Sequence, residues 1–159
     1  MLDTVIPTLT WAAAVGCGLM AGVFFAFSTF VMKGLERLPA AQGIAAMQAI
    51  NVAAVSGLFL GVLMLTALVC AGLAVSSGWT WGTEATRWRL LGCAAYLIGG
   101  FVVTAAFNVP RNNLLAALQA DSPGAALDWA RYLSEWTAWN HVRTVACLAA
   151  AVLLVRSLR

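Results

Sequence analysis

Four long stretches of this chain are almost free of charge, and each is long enough to matter to a bilayer. A helix needs about 20 largely apolar residues to cross the hydrocarbon layer. The stretches run over about 5–32, 52–75, 88–107 and 140–155. Only 9% of the 159 residues are charged and 62% are hydrophobic, whereas a soluble domain carries roughly 25% charged residues. In lipid, backbone polar groups must be satisfied within the segment, so spans of this length are read as helices. The expectation is an all-α integral membrane protein, a four-transmembrane-helix up-down bundle, with residues 1–159 forming one domain. The first stretch has Asp3 and no basic residue ahead of it, and it exceeds a signal-peptide core, so it reads as a retained span.

The last stretch is short in apolar length, but its helix should begin earlier. Asp121-Ser122-Pro123 reads as a helix start, with Asp121 or Ser122 as N-cap and proline in the first turn. A single helix of roughly 32 residues would be about 48 Å long and would project beyond the bilayer. Arg131 and Glu135 are four apart and placed to pair there. In the first span Gly18 and Gly22 form a small-xxx-small pair suited to close helix approach. Ala45–Asn51 reads as a helical lead-in to the second span. Pro110 is expected to break or kink the third helix near Asn108, with a short interfacial helix over 112–120. Trp79, Trp81 and Trp88, with Arg87 and Arg89, have the pattern of an interfacial aromatic belt with basic anchors.

Several chemistries are disfavoured by the residues at hand. The single histidine cannot supply both axial ligands of a bis-histidine haem or build a histidine-rich metal site. No phosphate-binding glycine loop or dinucleotide fingerprint stands in a suitable context. Any enzyme here is therefore expected to work without a tightly bound metal or cofactor. No span has a carboxylate in its middle, which weakens a proton-coupled exporter. The net charge of +3 is scattered, so nucleic acid is not an expected partner. The four cysteines, Cys17, Cys70, Cys93 and Cys147, fall one per span without a CxxC, and read as small apolar packing residues.

What remains is a concentration of polar and aromatic side chains at one end of the bundle. In an up-down topology the first and third loops share a side. That side receives Ser28, Gln48, Asn51, Asn108, Asn112, Trp136, Trp139, Asn140, His141 and Arg143. Polar groups beside hydrocarbon are costly unless satisfied or in a wet cavity. A pocket for a flat, moderately polar organic molecule fits them, with Phe27 among its aromatic walls. On the long helix Trp129, Trp136, Asn140, Arg143 and Cys147 form one stripe, while His141 is turned about 100° from Asn140. His141 and Arg143 therefore need not face the same space.

The segments Gly22-Val23-Phe24-Phe25-Ala26-Phe27-Ser28, Met47-Gln48-Ala49-Ile50-Asn51, Asn108-Val109-Pro110-Arg111-Asn112 and Trp136-Thr137-Ala138-Trp139-Asn140-His141-Val142-Arg143 resemble the anthrone oxygenase-like family of small four-span membrane proteins. That resemblance implies oxidation of an anthrone-type, flat phenolic substrate by dioxygen without an evident cofactor. It makes His141 the candidate base, Arg143, Asn140 and Asn108 candidate stabilisers of the anion, and Phe27, Trp136 and Trp139 candidate stacking partners. The competing reading is a non-catalytic lipid- or quinone-binding accessory subunit. Expected partners are a small aromatic or lipid-like molecule and membrane lipids, and a homo-oligomer or larger membrane complex is compatible with the chain. The expected location is a bacterial cell membrane. Discounting Arg111 and Arg143, basic residues slightly favour cytoplasmic termini.

Overall fold

A computed structural model describes residues 2–78 and 82–159, with the side chains of Leu2, Asp3 and Ser56 excepted. Trp79 and Trp81, expected in the aromatic belt, lie outside the described residues. The described chain is helical with no strand. Four helices are long and apolar enough to cross a membrane: α1 (Thr4–Glu36), α3 (Leu58–Ser77), α4 (Glu84–Ala117) and α5 (Ala125–Arg156). A shorter helix, α2 (Ala40–Ser56), joins the first two. Each long helix packs on its sequence neighbour and α1 closes the ring against α5. The protein is an all-α membrane bundle.

The helices differ in length in a way that shapes the site. α3 has 20 residues, about 30 Å at 1.5 Å per residue, the thickness of the hydrocarbon layer. α1, α4 and α5 have 33, 34 and 32 residues, so each extends past that layer by roughly 20 Å. α2 fills the place beside those extensions. Two hydrophobic cores result. One, around Cys17, Met20, Phe24, Leu63, Cys70, Leu73, Tyr96 and Leu154, lies within the four-helix part. The other, around Met32, Ile44, Met47, Leu115, Trp129, Tyr132 and Trp136, joins the extensions to α2.

Several local expectations change. The second crossing does not begin near residue 52, because Gly57, in extended conformation, separates α2 from α3. Pro110 does not end the third helix. The turn before it, Thr104–Asn108, is a π-helix, and the chain continues as α-helix over Val109–Ala117. A widened turn relieves the clash between a proline ring and the carbonyl four residues back, so the helix survives. The long fourth helix is present, but its N-cap is Gly124 at φ 92°, with no side-chain cap. Ser122 Oγ instead donates to the Gln119 carbonyl, 2.8 Å. Gly18 and Gly22 have no close neighbour where a Cβ would stand; the tightest glycines are Gly16, against Thr66, and Gly99, against Ala146. Glu135 pairs with Arg111 at 2.8 Å, across helices, in place of the expected Arg131. The four cysteines are free thiols, all buried in the lower core.

Candidate functional site

The two cores meet at a polar layer centred on Asn140 and Arg143 of α5. Asn140 is fully buried. Its Nδ2 donates to the Phe24 carbonyl and to Ser28 Oγ, both at 2.7 Å. The turn Phe27–Val31 that follows Phe24 is a π-helix. A π-turn disturbs the regular pairing of its neighbourhood, and side chains take up the difference: besides Asn140, Thr29 Oγ1 donates to the Phe25 carbonyl, 2.7 Å. Ser28 Oγ also lies 3.0 Å from Thr144 Oγ1. A single amide thus ties α1 to α5 in the middle of the bundle.

The other end of that amide holds Arg143. Its Nη2 donates to Asn140 Oδ1, 2.7 Å, and its Nη1 to Thr104 Oγ1 of α4, 3.3 Å. The guanidinium carbon sits 4.2 Å from the centre of the Phe24 ring and 4.9 Å from that of Trp136. Stacking on two aromatic faces suits a planar, weakly hydrated cation. Arg143 is only 4% exposed, and its Nε has no partner. Neither ion pair among the described residues involves it. A buried cation without a counter-charge is costly unless something else supplies the anion.

Arg143 faces a cavity of about 560 Å³. Phe24 and Phe27 of α1, Met47 and Asn51 of α2, Phe59 and Leu63 of α3, Phe101, Thr104 and Asn112 of α4, and Trp136 of α5 are among its walls. Its α2 and α3 walls lie on either side of Gly57. Asn112 Oδ1 accepts from Trp136 Nε1 at 2.7 Å and from Tyr132 OH at 3.0 Å, which anchors the indole. The Phe27 and Trp136 rings lie 5.6 Å apart. Asn51 Nδ2 is buried without a partner, the second unpaired donor on this cavity. The site is an aromatic slot with one buried cation and one free amide donor.

The sequence-selected residues divide into three groups. Phe27, Asn51, Asn112, Trp136 and Arg143 line the cavity. Asn140, Ser28 and Asn108 stand behind it. Asn108 Nδ2 donates to the Trp136 carbonyl, 3.2 Å, and its Oδ1 is buried without a partner. The rest are elsewhere. Gln48 Nε2 donates to the Leu115 and Leu118 carbonyls, 2.8 and 3.0 Å, and so closes the C-terminal end of α4 rather than facing the cavity. Trp139 stacks on Phe107 with ring centres 3.6 Å apart, outside the cavity. His141 is exposed and opens into a different cleft of about 630 Å³, lined also by Ser28, Lys33, Glu36, Trp129 and Thr137. Two residues along a helix is a rotation of about 200°, so His141 and Arg143 point to nearly opposite sides of α5. The structure does not bring the two side chains to one pocket, in keeping with their spacing on the helix.

Thr104 and Tyr132 were not singled out by sequence. Thr104 is four residues before Asn108, and Tyr132 four before Trp136, so helical spacing places each beside a residue already marked. Among the described residues no group of three or more His, Cys, Asp or Glu is placed to hold a metal ion.

The model of the family described as anthrone oxygenase matches residues 52–153, well over half of the chain. The chain belongs to the anthrone oxygenase family. The matched stretch contains Thr104, Asn112, Trp136 and Arg143 of the cavity wall, and Asn108 and Asn140 behind it. It does not reach α1 or the Met47–Asn51 segment, where family resemblance was also expected. No curated protein and no solved structure matches the chain.

Proposed function

We propose that this member of the anthrone oxygenase family is a membrane-embedded oxygenase that oxidises a flat, anthrone-type phenolic substrate with dioxygen. The observation that carries the reading is Arg143: a buried guanidinium with no acidic partner, at the wall of an aromatic cavity. Such a site favours a molecule that is apolar over most of its area and becomes an oxyanion at one point. Family membership supports the oxygenase class, and the cation supports the anion.

The chemistry follows from that placement. An anthrone loses a proton from its methylene carbon to water and becomes an anthrolate, whose negative charge rests largely on oxygen. Arg143 stabilises that charge, and the cavity holds the rings between Phe27 and Trp136. The electron-rich anion passes one electron to dioxygen, and the resulting radical and superoxide combine to form a carbon–oxygen bond. The peroxide takes up a proton. Its O–O bond then breaks as the remaining hydrogen on that carbon leaves, giving a quinone and one water. One dioxygen is consumed per substrate. Asn140 and Thr104 are positioning residues that hold the guanidinium. Asn108 holds the α5 backbone at Trp136. His141, in the other cleft, has no contact with the substrate in this reading. In this reading the protein sits in a bacterial membrane with its termini inside, and the cavity lies toward the outer end.

The test is dioxygen uptake by the protein in vesicles with an anthrone or a hydroquinone. Arg143→Met is expected to lower the rate by about a hundredfold or more, the usual effect of removing an oxyanion donor. Thr104→Val, which leaves the cation in place, should cost less. Equal rates for wild type and Arg143→Met would reject the reading. Tight binding of the flat phenol with no uptake of dioxygen would favour the lipid- or quinone-binding accessory role.

A further inference from the structure

The cavity has a roof and a floor, but its side is open. At the upper end Gln48 ties α2 to the end of α4, and Asn112 is held by Tyr132 and Trp136. Below, Leu63 and Phe24 belong to the packed lower core. The most exposed of the lining residues are Val23, Ala53, Val55, Met64, Ala105 and Val109, and all six are apolar. A mouth that met water would be expected to carry polar side chains at its rim. Val55 is 68% exposed, Met64 43% and Val109 40%. Met64 lies six residues into α3 from Leu58, about 9 Å along the helix axis. The opening therefore begins where α3 enters the hydrocarbon and extends into it. It stands between the α2–α3 junction on one side and α4 on the other.

We infer that the ligand enters the cavity sideways from the membrane, through the gap between the α2–α3 junction and the Ala105–Val109 segment of α4. This rests on the cavity being the substrate site. It adds the ligand's source, the lipid leaflet rather than water. The apolar body slides past Val55, Met64, Ala105 and Val109, and its oxygen reaches Arg143 at the inner wall. Gly57, the one non-helical residue between α2 and α3, lies on the α2–α3 side of this opening. The ligand class is a flat lipophilic phenol, apolar over most of its area, with one oxygen that meets the guanidinium.

The test uses the full-length protein in phosphatidylcholine vesicles that carry 1-hydroxyanthraquinone in the lipid. Uptake is followed by quenching of tryptophan fluorescence. Ala105→Trp and, separately, Val55→Trp should slow uptake at least tenfold. Val145→Trp, on the lipid-facing side of α5 and absent from the cavity lining, should leave it unchanged. Circular dichroism and thermal unfolding confirm that each variant is folded. Uptake that is unaffected by both plugs, or slowed instead by Ala130→Trp in the His141 cleft, overturns the lateral route while leaving the cavity reading intact. A wild-type protein that takes up none of the probe overturns both.

Discussion

Replacing Asn140 by aspartate probes the isolated charge of Arg143 without removing it. The Asn140 oxygen already lies 2.7 Å from Arg143 Nη2, so a carboxylate there gives the guanidinium a permanent partner inside the protein. Two unit charges about 4 Å apart attract by about 4 kcal/mol at an effective dielectric constant of 20. A ligand oxyanion would then meet a neutral pair, and it should lose about 2–4 kcal/mol of attraction, or roughly 30- to 700-fold in affinity. Folding should survive. The Ser28 hydroxyl can turn and donate to the new carboxylate, and the Phe24 carbonyl, which loses its 2.7 Å donor, is left unpaired at a cost of about 1–3 kcal/mol, offset by the new pair with Arg143. The assay is equilibrium binding of a flat phenol to protein in vesicles, followed by fluorescence quenching, beside thermal unfolding of the same samples. Affinity equal to wild type in a folded Asn140→Asp protein would refute the idea that Arg143 is kept unpaired for an anionic ligand.

Further outcomes follow from other contacts. His141→Ala should change dioxygen uptake less than twofold, because the imidazole opens into the other cleft; a tenfold loss would return it to the chemistry. Gly99→Ala should destabilise the bundle by about 1–3 kcal/mol, seen in thermal unfolding, since its methyl would meet Ala146, whereas Gly18→Ala should be close to neutral. Gln48→Ala removes the side-chain donor to the Leu115 and Leu118 carbonyls, of which Leu115 keeps the Leu118 N–H. It should cost about 1–3 kcal/mol and raise amide exchange near the end of α4. Glu135→Gln removes a partly exposed pair with Arg111 and should shift stability by no more than about 1 kcal/mol.

The bundle was readable because bilayer-length apolar runs leave few alternatives, and the extent of α5 followed from the lack of any breaker between Gly124 and Arg156. The Trp136–Asn140–Arg143 stripe was equally legible, since helical periodicity alone puts those residues on one buried face. Three features were not legible for physical reasons. A π-turn such as Thr104–Asn108 has no simple sequence signature, so Pro110 read as a break. Gly57 looked like one more small residue in a continuous apolar run, yet it ends α2. Gln48 read as a pocket residue, but which amide meets a ligand and which meets a helix end depends on where α4 stops. For His141 the spacing already carried the warning: residues 141 and 143 share no helical face.

The most direct measurement is the ionisation of a flat phenol bound in the cavity. Hydroxyanthraquinones change colour when the phenol loses its proton, so the bound species can be titrated in vesicles by its absorbance. Burial among aromatic rings alone would raise the pKa of the phenol, and an adjacent guanidinium lowers it. With Arg143 acting as the anion's partner, the bound phenol should ionise at a lower pH than the same molecule dissolved in protein-free vesicles, and Arg143→Met should abolish that difference. A bound phenol that ionises at the same or a higher pH than in lipid alone, with no dependence on Arg143, would contradict the assignment of the cavity as an oxyanion site.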